Sequence, residues 1–200
     1  MEQNLEQFHT ETVSEPHDEK QKKSGVFRFL LDVLETLILS VILFAAINMV
    51  SARIRVDGAS MEPTLQTGEF VIVNKLAYLY GNPHIGDVIV FHFPRDPEQE
   101  YIKRIIGLPG DHVAVKDGQV SVNGQPLEEG YIAASPVYEA TWDVPSDALF
   151  VLGDNRNNSS DSHTWGPVPL ENVVGKAVFV YWPPTEWGLV SHASIANAAP

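Results

Sequence analysis

The chain has 200 residues, 13 Lys plus Arg against 26 Asp plus Glu, and no cysteine. That length suits one ordinary domain with an extra element rather than several domains. A formal net charge of −13 lacks the basic footprint of a nucleic-acid binder, and the missing cysteines exclude disulfide stapling, thiol catalysis and cysteine-ligated zinc.

Residues 1–25 hold six acids (Glu2, Glu6, Glu11, Glu15, Asp18, Glu19) and three lysines (Lys20, Lys22, Lys23), without apolar periodicity. Such a composition cannot bury enough surface to offset its ordering entropy, which predicts a disordered acidic tail. From Val26 to Val50 only Arg28, Asp32 and Glu35 interrupt an apolar run. Its uncharged part, Thr36 to Ala52, spans ~25 Å as a helix at ~1.5 Å per residue, a little short of a hydrocarbon core of ~30 Å. Extension back to Val26 closes the gap if the charged residues sit at the interface or against protein. Because the run is apolar on every face between Leu37 and Val50, a transmembrane anchor over 26–52 is expected in preference to a buried soluble helix. Val50-Ser51-Ala52 also resembles the small-residue cleavage site of an export signal, but the acidic leader and the two carboxylates inside the run favour a retained anchor. Lys20, Lys22, Lys23 and Arg28 precede the span while Arg53 and Arg55 follow it. That bias places the N-terminus in the cytoplasm and the rest of the chain outside.

After Ala52 the rhythm changes to short β-branched runs broken by Gly, Pro, Asn and Asp. Strands are expected at Arg53–Val56, Phe70–Asn74, Val88–Phe93, Tyr101–Ile106, His112–Lys116, Gln119–Val122, Leu149–Leu152 and Val173–Trp182. Asp117-Gly118 between two alternating runs is a hairpin signal, and Asn123-Gly124 marks a further tight turn. The fold class is therefore mainly β, with a β-rich domain over 53–184 and a polar C-terminal tail over 185–200. Its nine Lys plus Arg against 18 Asp plus Glu leave this outer part at −9. Those acids are scattered, with no His-Glu-x-x-His and no acidic calcium-type loop, so no metal and no cofactor is expected.

Three segments could carry chemistry. In Gly58-Ala59-Ser60-Met61-Glu62-Pro63-Thr64-Leu65, Gly58 permits unusual backbone angles and Pro63 fixes its own φ. A serine in such a rigid turn can present its hydroxyl and its N–H together; an ordinary turn accounts for the same residues equally well. In Tyr101-Ile102-Lys103-Arg104-Ile105-Ile106-Gly107-Leu108-Pro109-Gly110-Asp111, strand alternation puts Lys103 with Tyr101 and Ile105, and Arg104 with Ile102 and Ile106. Both faces are largely apolar. Such a lysine either snorkels or pairs with an acid, or desolvation lowers its pKa from ~10.4 until it can accept a proton. A neutral lysine beside a serine forms a nucleophile–base pair without histidine. His84, His92, His112 and His163 leave a Ser-His-Asp arrangement open, although no Gly-x-Ser-x-Gly elbow is present. The third segment, Gly153-Asp154-Asn155-Arg156 through Asp161-Ser162, follows an expected strand and concentrates short polar side chains that bond backbone and one another.

Taken in this order behind an anchor, the segments resemble bacterial type I signal peptidase. Ser60 to Leu65 is similar to the family's nucleophile box, Lys103 to Asp111 to its general-base box, and Gly153 to Ser162 to its C-terminal box; Gly86-Asp87-Val88 also fits. The resemblance runs from the anchor to about Trp182. It implies a membrane-bound serine endopeptidase that cleaves signal peptides from exported preproteins after Ala-x-Ala, with Ser60 as nucleophile and Lys103 as general base. It places Ser159 near the lysine amine and Asp161 as support, and it lines shallow substrate subsites with Val56, Met61, Leu65, Tyr101 and Ile102. Three positions depart from the pattern. Gly58 stands where many relatives carry a serine that completes the oxyanion hole, His163 where relatives often carry arginine, and Asn157 where some carry an acid. The implied partners are preproteins and the lipid bilayer, with no nucleic acid, and the sequence does not fix the oligomeric state. The competing readings are a membrane-tethered β-domain that binds a partner without catalysis, and a self-cleaving regulator sharing a Ser-Lys dyad. The anchor and the acidic balance disfavour the regulator.

Overall fold

A computed structural model describes residues 19–192. The acidic tail lies outside the described residues as far as position 18. Beyond it the backbone is already helical: α1 runs over Glu19–Val50, starting within the stretch expected to be disordered. Glu and Lys are good helix formers, and extending an existing helix adds one hydrogen bond per residue fixed, whereas starting one is costly. An 18-residue window between Gly25 and Val50 has a mean hydropathy of 2.4, and none of that window is buried by protein. This is the one helix among the described residues long and apolar enough to cross a membrane. Its hydroxyls turn inward on its own backbone: Thr36 donates to the Asp32 carbonyl and Ser40 to that of Thr36.

The chain divides into two compact units between Ala46 and Ile47, and the second is mainly β. The helix ends at Val50 and strand pairing begins at once, so Ser51 and Ala52 belong to a strand and not to the anchor. β1 (Ser51–Arg55) pairs antiparallel with β2 (Phe70–Asn74), from Ser51 opposite Asn74 to Arg55 opposite Phe70. A short helix α2 (Ala77–Tyr80) leads to β3 (Val88–Phe93) and the long β4 (Asp96–Gly107). A separate four-stranded sheet follows, made of β5 (His112–Lys116), β6 (Gln119–Val122), β7 (Gln125–Pro126) and β8 (Ala140–Asp143), in the order β7-β6-β5-β8. The chain then returns through β9 (Ala148–Leu152), a helical turn α3 (Ser162–Trp165), β10 (Val168–Pro169), β11 (Val173–Trp182) and β12 (Gly188–Leu189). The main sheet runs β1-β2-β11-β3-β4-β9-β10, with β12 added to β11.

The hairpin at Asp117-Gly118 forms as expected, with φ of 51° and 74°, the left-handed pair that a tight turn between twisted strands requires. β9 has all five residues buried because it runs between β4 and β10. One core cluster gathers Val56, Met61, Leu65, Val71, Val88, Val90 and Ile102; a second lies under the smaller sheet around Ile106, Val113, Val120 and Phe150. A third unites Ile89, Phe91, Ile105, Leu149, Val151 and Val168.

The C-terminal tail expected from 185 is ordered and packed as far as His192. Val190 is buried, the Ser191 carbonyl accepts from Arg104, and the Val88 N–H donates to His192 Nδ1. Long-range partners fix a segment whose own composition is unremarkable.

Candidate active site

Lys103 and Arg104 are neighbours on β4, and both are buried. Alternation sends them to opposite faces, where they meet different chemistry. Arg104 finds a charge: Nε lies 2.8 Å from Asp154 Oδ1 and Nη2 2.6 Å from Oδ2, with both side chains fully buried. Its Nη1 also donates to the carbonyls of Gly86 and Ser191, and the guanidinium stacks 4.1 Å from the Tyr131 ring centroid. Every polar edge of that cation is engaged.

Lys103 forms no salt bridge among the described residues. Its Nζ donates to the Ile102 carbonyl at 2.9 Å and lies 2.9 Å from Ser60 Oγ. Burial disfavours the ammonium and brings Lys103 down to about 8, against the opposing fields of Asp161 and Asp154. Of the two fates open to such a lysine, it is desolvation that the site imposes, while its neighbour takes the acid.

Ser60 is held by the turn around it. Gly58 has φ +93°, in the left-handed region that glycine alone enters freely. Asn155 braces the loop from the far side, donating its N–H to the Ser60 carbonyl at 3.0 Å and its Nδ2 to the Ala59 carbonyl at 3.1 Å. Gly153 fits closely against this junction. A Cβ there would meet Ser159 Oγ and the Ser60 carbonyl oxygen, so the close approach of the two loops needs glycine. Ser159 Oγ is buried with no hydrogen-bond partner among the described residues.

Asp161 is fully buried. Its Oδ2 accepts from the Gly153 N–H at 2.9 Å, and its Oδ1 caps α3 through the His163 N–H. His163 Nδ1 lies 2.6 Å from the same Oδ1, and its ring stacks on Tyr138 with centroids 4.3 Å apart. A second buried ion pair, Arg156 with Glu129, carries the loop outward, Nη1 donating to Oε2 at 2.7 Å. Asn157 accepts the Val137 N–H and donates to the Ser135 carbonyl.

A groove of about 670 Å³ opens beside the pair. Its lining includes Arg53, Arg55, Gly58, Ser60, Tyr101, Ile102 and Lys103. Of the residues that the resemblance assigns to subsites, Tyr101 and Ile102 line this groove. Val56, Met61 and Leu65 do not: all three lie in the core, at most 1% exposed, and none lines the groove. Strand alternation explains part of this, since Val56 continues the inward-facing series of β1 while Arg53 and Arg55 face outward. Gly153 and Asn155 fall within the polar segment marked in the sequence, but their contacts with the Ser60 turn join residues more than ninety positions apart.

The family model "Signal peptidase, peptidase S26" matches residues 30–182. A signal peptidase I of Leptolyngbya laminosa is 45% identical over 170 residues, covering 80% of this chain and 83% of the relative. A probable signal peptidase I-2 of Synechocystis is 44% identical over 180 residues, covering 86% and 82%. A solved signal peptidase I from Enterococcus faecalis aligns with a TM-score of 0.45 at 34% identity, over 48% of this chain and 96% of its own. The chain belongs to the signal peptidase family, peptidase S26.

Proposed function

We propose that Ser60 and Lys103 are the nucleophile and general base with which this membrane-anchored enzyme cleaves signal peptides from exported preproteins. The single observation that carries the assignment is the contact at 2.9 Å between Ser60 Oγ and a buried lysine amine that has no acidic partner among the described residues. Neutral Lys103 takes the hydroxyl proton as Ser60 Oγ attacks the scissile carbonyl. The Ser60 N–H would hold the oxyanion, assisted by a donor other than a side chain at Gly58. As the C–N bond breaks, the Lys103 ammonium returns its proton to the leaving amine, which is the new N-terminus of the mature protein. The signal peptide remains as an ester on Ser60. Water, deprotonated by the same lysine, hydrolyses that ester and restores the hydroxyl.

β1 pairs only with β2 among the described strands, leaving its other edge for an extended substrate that adds as a strand. Tyr101 and Ile102 would contact its side chains, and a shallow groove favours small residues at the cleavage site. Ser159, adjacent to Gly153, and Asp161, bonded to the Gly153 N–H, would keep the loop in place beside the dyad. The anchor is proposed to span the bilayer once with its N-terminus in the cytoplasm, placing the β-rich unit on the outer side.

The reading is tested by incubating the detergent-solubilised full chain with a preprotein whose signal peptide ends in Ala-x-Ala. A single new N-terminus immediately after that motif is expected. An intact preprotein, or cleavage scattered through the mature part, would contradict the assignment.

A further inference from the structure

The groove beside Ser60 carries charge that the Ser60–Lys103 pair does not use. It runs from Ser60 back along β1 to Arg53, and nothing between Ser60 and Gln99 in the chain lines it. Two strand edges bound it among the described strands. β1 pairs only with β2, and β9 pairs with β4 only from Arg104 onward, so Tyr101 to Lys103 keep one edge open. Ile54 and Ile102 belong to the packing of the core cluster around Val56 and make the apolar floor of the groove. Alternation turns Arg53 and Arg55 away from that cluster, and both are exposed. Neither forms a salt bridge among the described residues. Two guanidiniums without acidic partners thus stand in line on the outer side of one groove wall.

We propose that Arg53 and Arg55 select acidic side chains at the fourth and sixth residues before the scissile bond. The inference rests on the reading of the groove as the place where a signal peptide lies. The groove extends to one side of Ser60 only, and small residues before the bond must be read there. The signal peptide therefore lies on that side and runs parallel to β1. Its first and third residues before the bond face the apolar floor, so the second, fourth and sixth face outward. Arg55 and Arg53 stand five and seven positions before Ser60. The chain bends at Gly58 and Ala59, which shortens that path and sets the arginines beside the fourth and sixth residues. Asp57 continues the same outward series one step nearer to Ser60, beside the second residue. Opposite charges across neighbouring strands attract and like charges repel, and a guanidinium fork matches a carboxylate with two parallel N–H donors. An acid is thus favoured at the fourth and sixth residues and disfavoured at the second.

The test uses the detergent-solubilised full chain and one preprotein whose signal peptide ends in Ala-x-Ala. Glutamate or the nearly isosteric glutamine is placed in turn at the second, fourth, fifth and sixth residues before the bond. The readout is the ratio of kcat/KM for the glutamate and glutamine substrates, which cancels any general loss of activity. At the fourth and sixth residues a ratio of at least about threefold in favour of glutamate is expected, the scale of one cross-strand charge pair. The ratio should stay near unity at the fifth residue and fall below it at the second. The exposed double substitution Arg53→Glu with Arg55→Glu should keep the fold and invert the preference at the fourth and sixth residues. A ratio near unity at those two positions in the parent chain would overturn the selection. So would a ratio that survives the charge reversal, even if cleavage of every substrate slowed alike, as a contact with anionic lipid would cause. Failure to cleave any of these substrates after Ala-x-Ala would instead overturn the reading of the groove on which the inference rests.

Discussion

Ser60→Ala and Lys103→Ala are each expected to lower kcat/KM for preprotein cleavage by at least ~10³-fold. In the proposed mechanism Ser60 Oγ supplies the bond to the scissile carbon, and no other hydroxyl among the groove-lining residues is paired with Lys103. Without Lys103 the serine keeps its proton at neutral pH and attacks as a weak nucleophile. Because the two act as a unit, the double variant should be no slower than the slower single one. Lys103→Arg is the sharper substitution. It preserves positive charge and length, but a guanidinium does not deprotonate in a protein and cannot accept the serine proton, so it should be as inactive as Lys103→Ala. Cleavage by Lys103→Arg within about tenfold of the parent chain would remove the lysine from the role of base. Melting curves of the same variants separate lost chemistry from lost folding.

Asp154→Ala is expected to cost about 3–5 kcal/mol of stability, read as a lowered urea midpoint of the detergent-solubilised full chain. The carboxylate and the Arg104 guanidinium are both fully buried, and removal of one leaves the other as an unpaired charge in a low-dielectric interior. Arg104 also gathers the carbonyls of Gly86 and Ser191 and approaches Thr64 Oγ1 at 3.4 Å, so it joins four separate segments. A hydrophobic replacement of both partners should recover only part of the loss, since those two carbonyls would be left without their donor. An Asp154→Ala midpoint equal to that of the parent chain would show that the pair carries little of the fold. The contact with Arg104 lies on the face away from Lys103, although the Asp154 carboxylate also opposes the lowering of the Lys103 pKa.

The contrast between these neighbours marks the limit of what sequence reading can deliver. Two adjacent cations in an apolar strand announce a buried charge, and strand alternation separates their faces. Which one pairs with an acid depends on Asp154, fifty residues after Arg104, and which one meets a hydroxyl depends on Ser60, forty-three residues before Lys103. Local rules served where local forces decide: Asp117-Gly118 sets a hairpin, and Phe70–Asn74 and Val88–Phe93 alternate or run apolar within their sheet. They failed where pairing comes from afar. β8 is a mostly exposed strand that exists because β5 offers it an edge, and residues 185–192 are fixed by Arg104, Val88 and β11. The groove beside Ser60 and Lys103 shows the same division. Tyr101 and Ile102 reach it, while Val56, Met61 and Leu65 are drawn into the core because apolar residues beside a nucleophile can serve packing as readily as recognition. Gly153 needs to be glycine only because the Ser60 and Ser159 loops converge on it, which no window of sequence displays.

The most direct measurement is the pH dependence of kcat/KM for signal-peptide cleavage by the full chain, over roughly pH 6 to 10, since this profile reports ionisations of the free enzyme. A base must be unprotonated to act. Below its pKa Lys103 carries a proton and the enzyme should be slow; above it the amine is free and the rate should level off. One ascending limb centred near 8 is predicted, the value to which burial lowers Lys103. A flat profile across this range, or a limb at the imidazole value near 6.5, would contradict a neutral Lys103 as the base that activates Ser60.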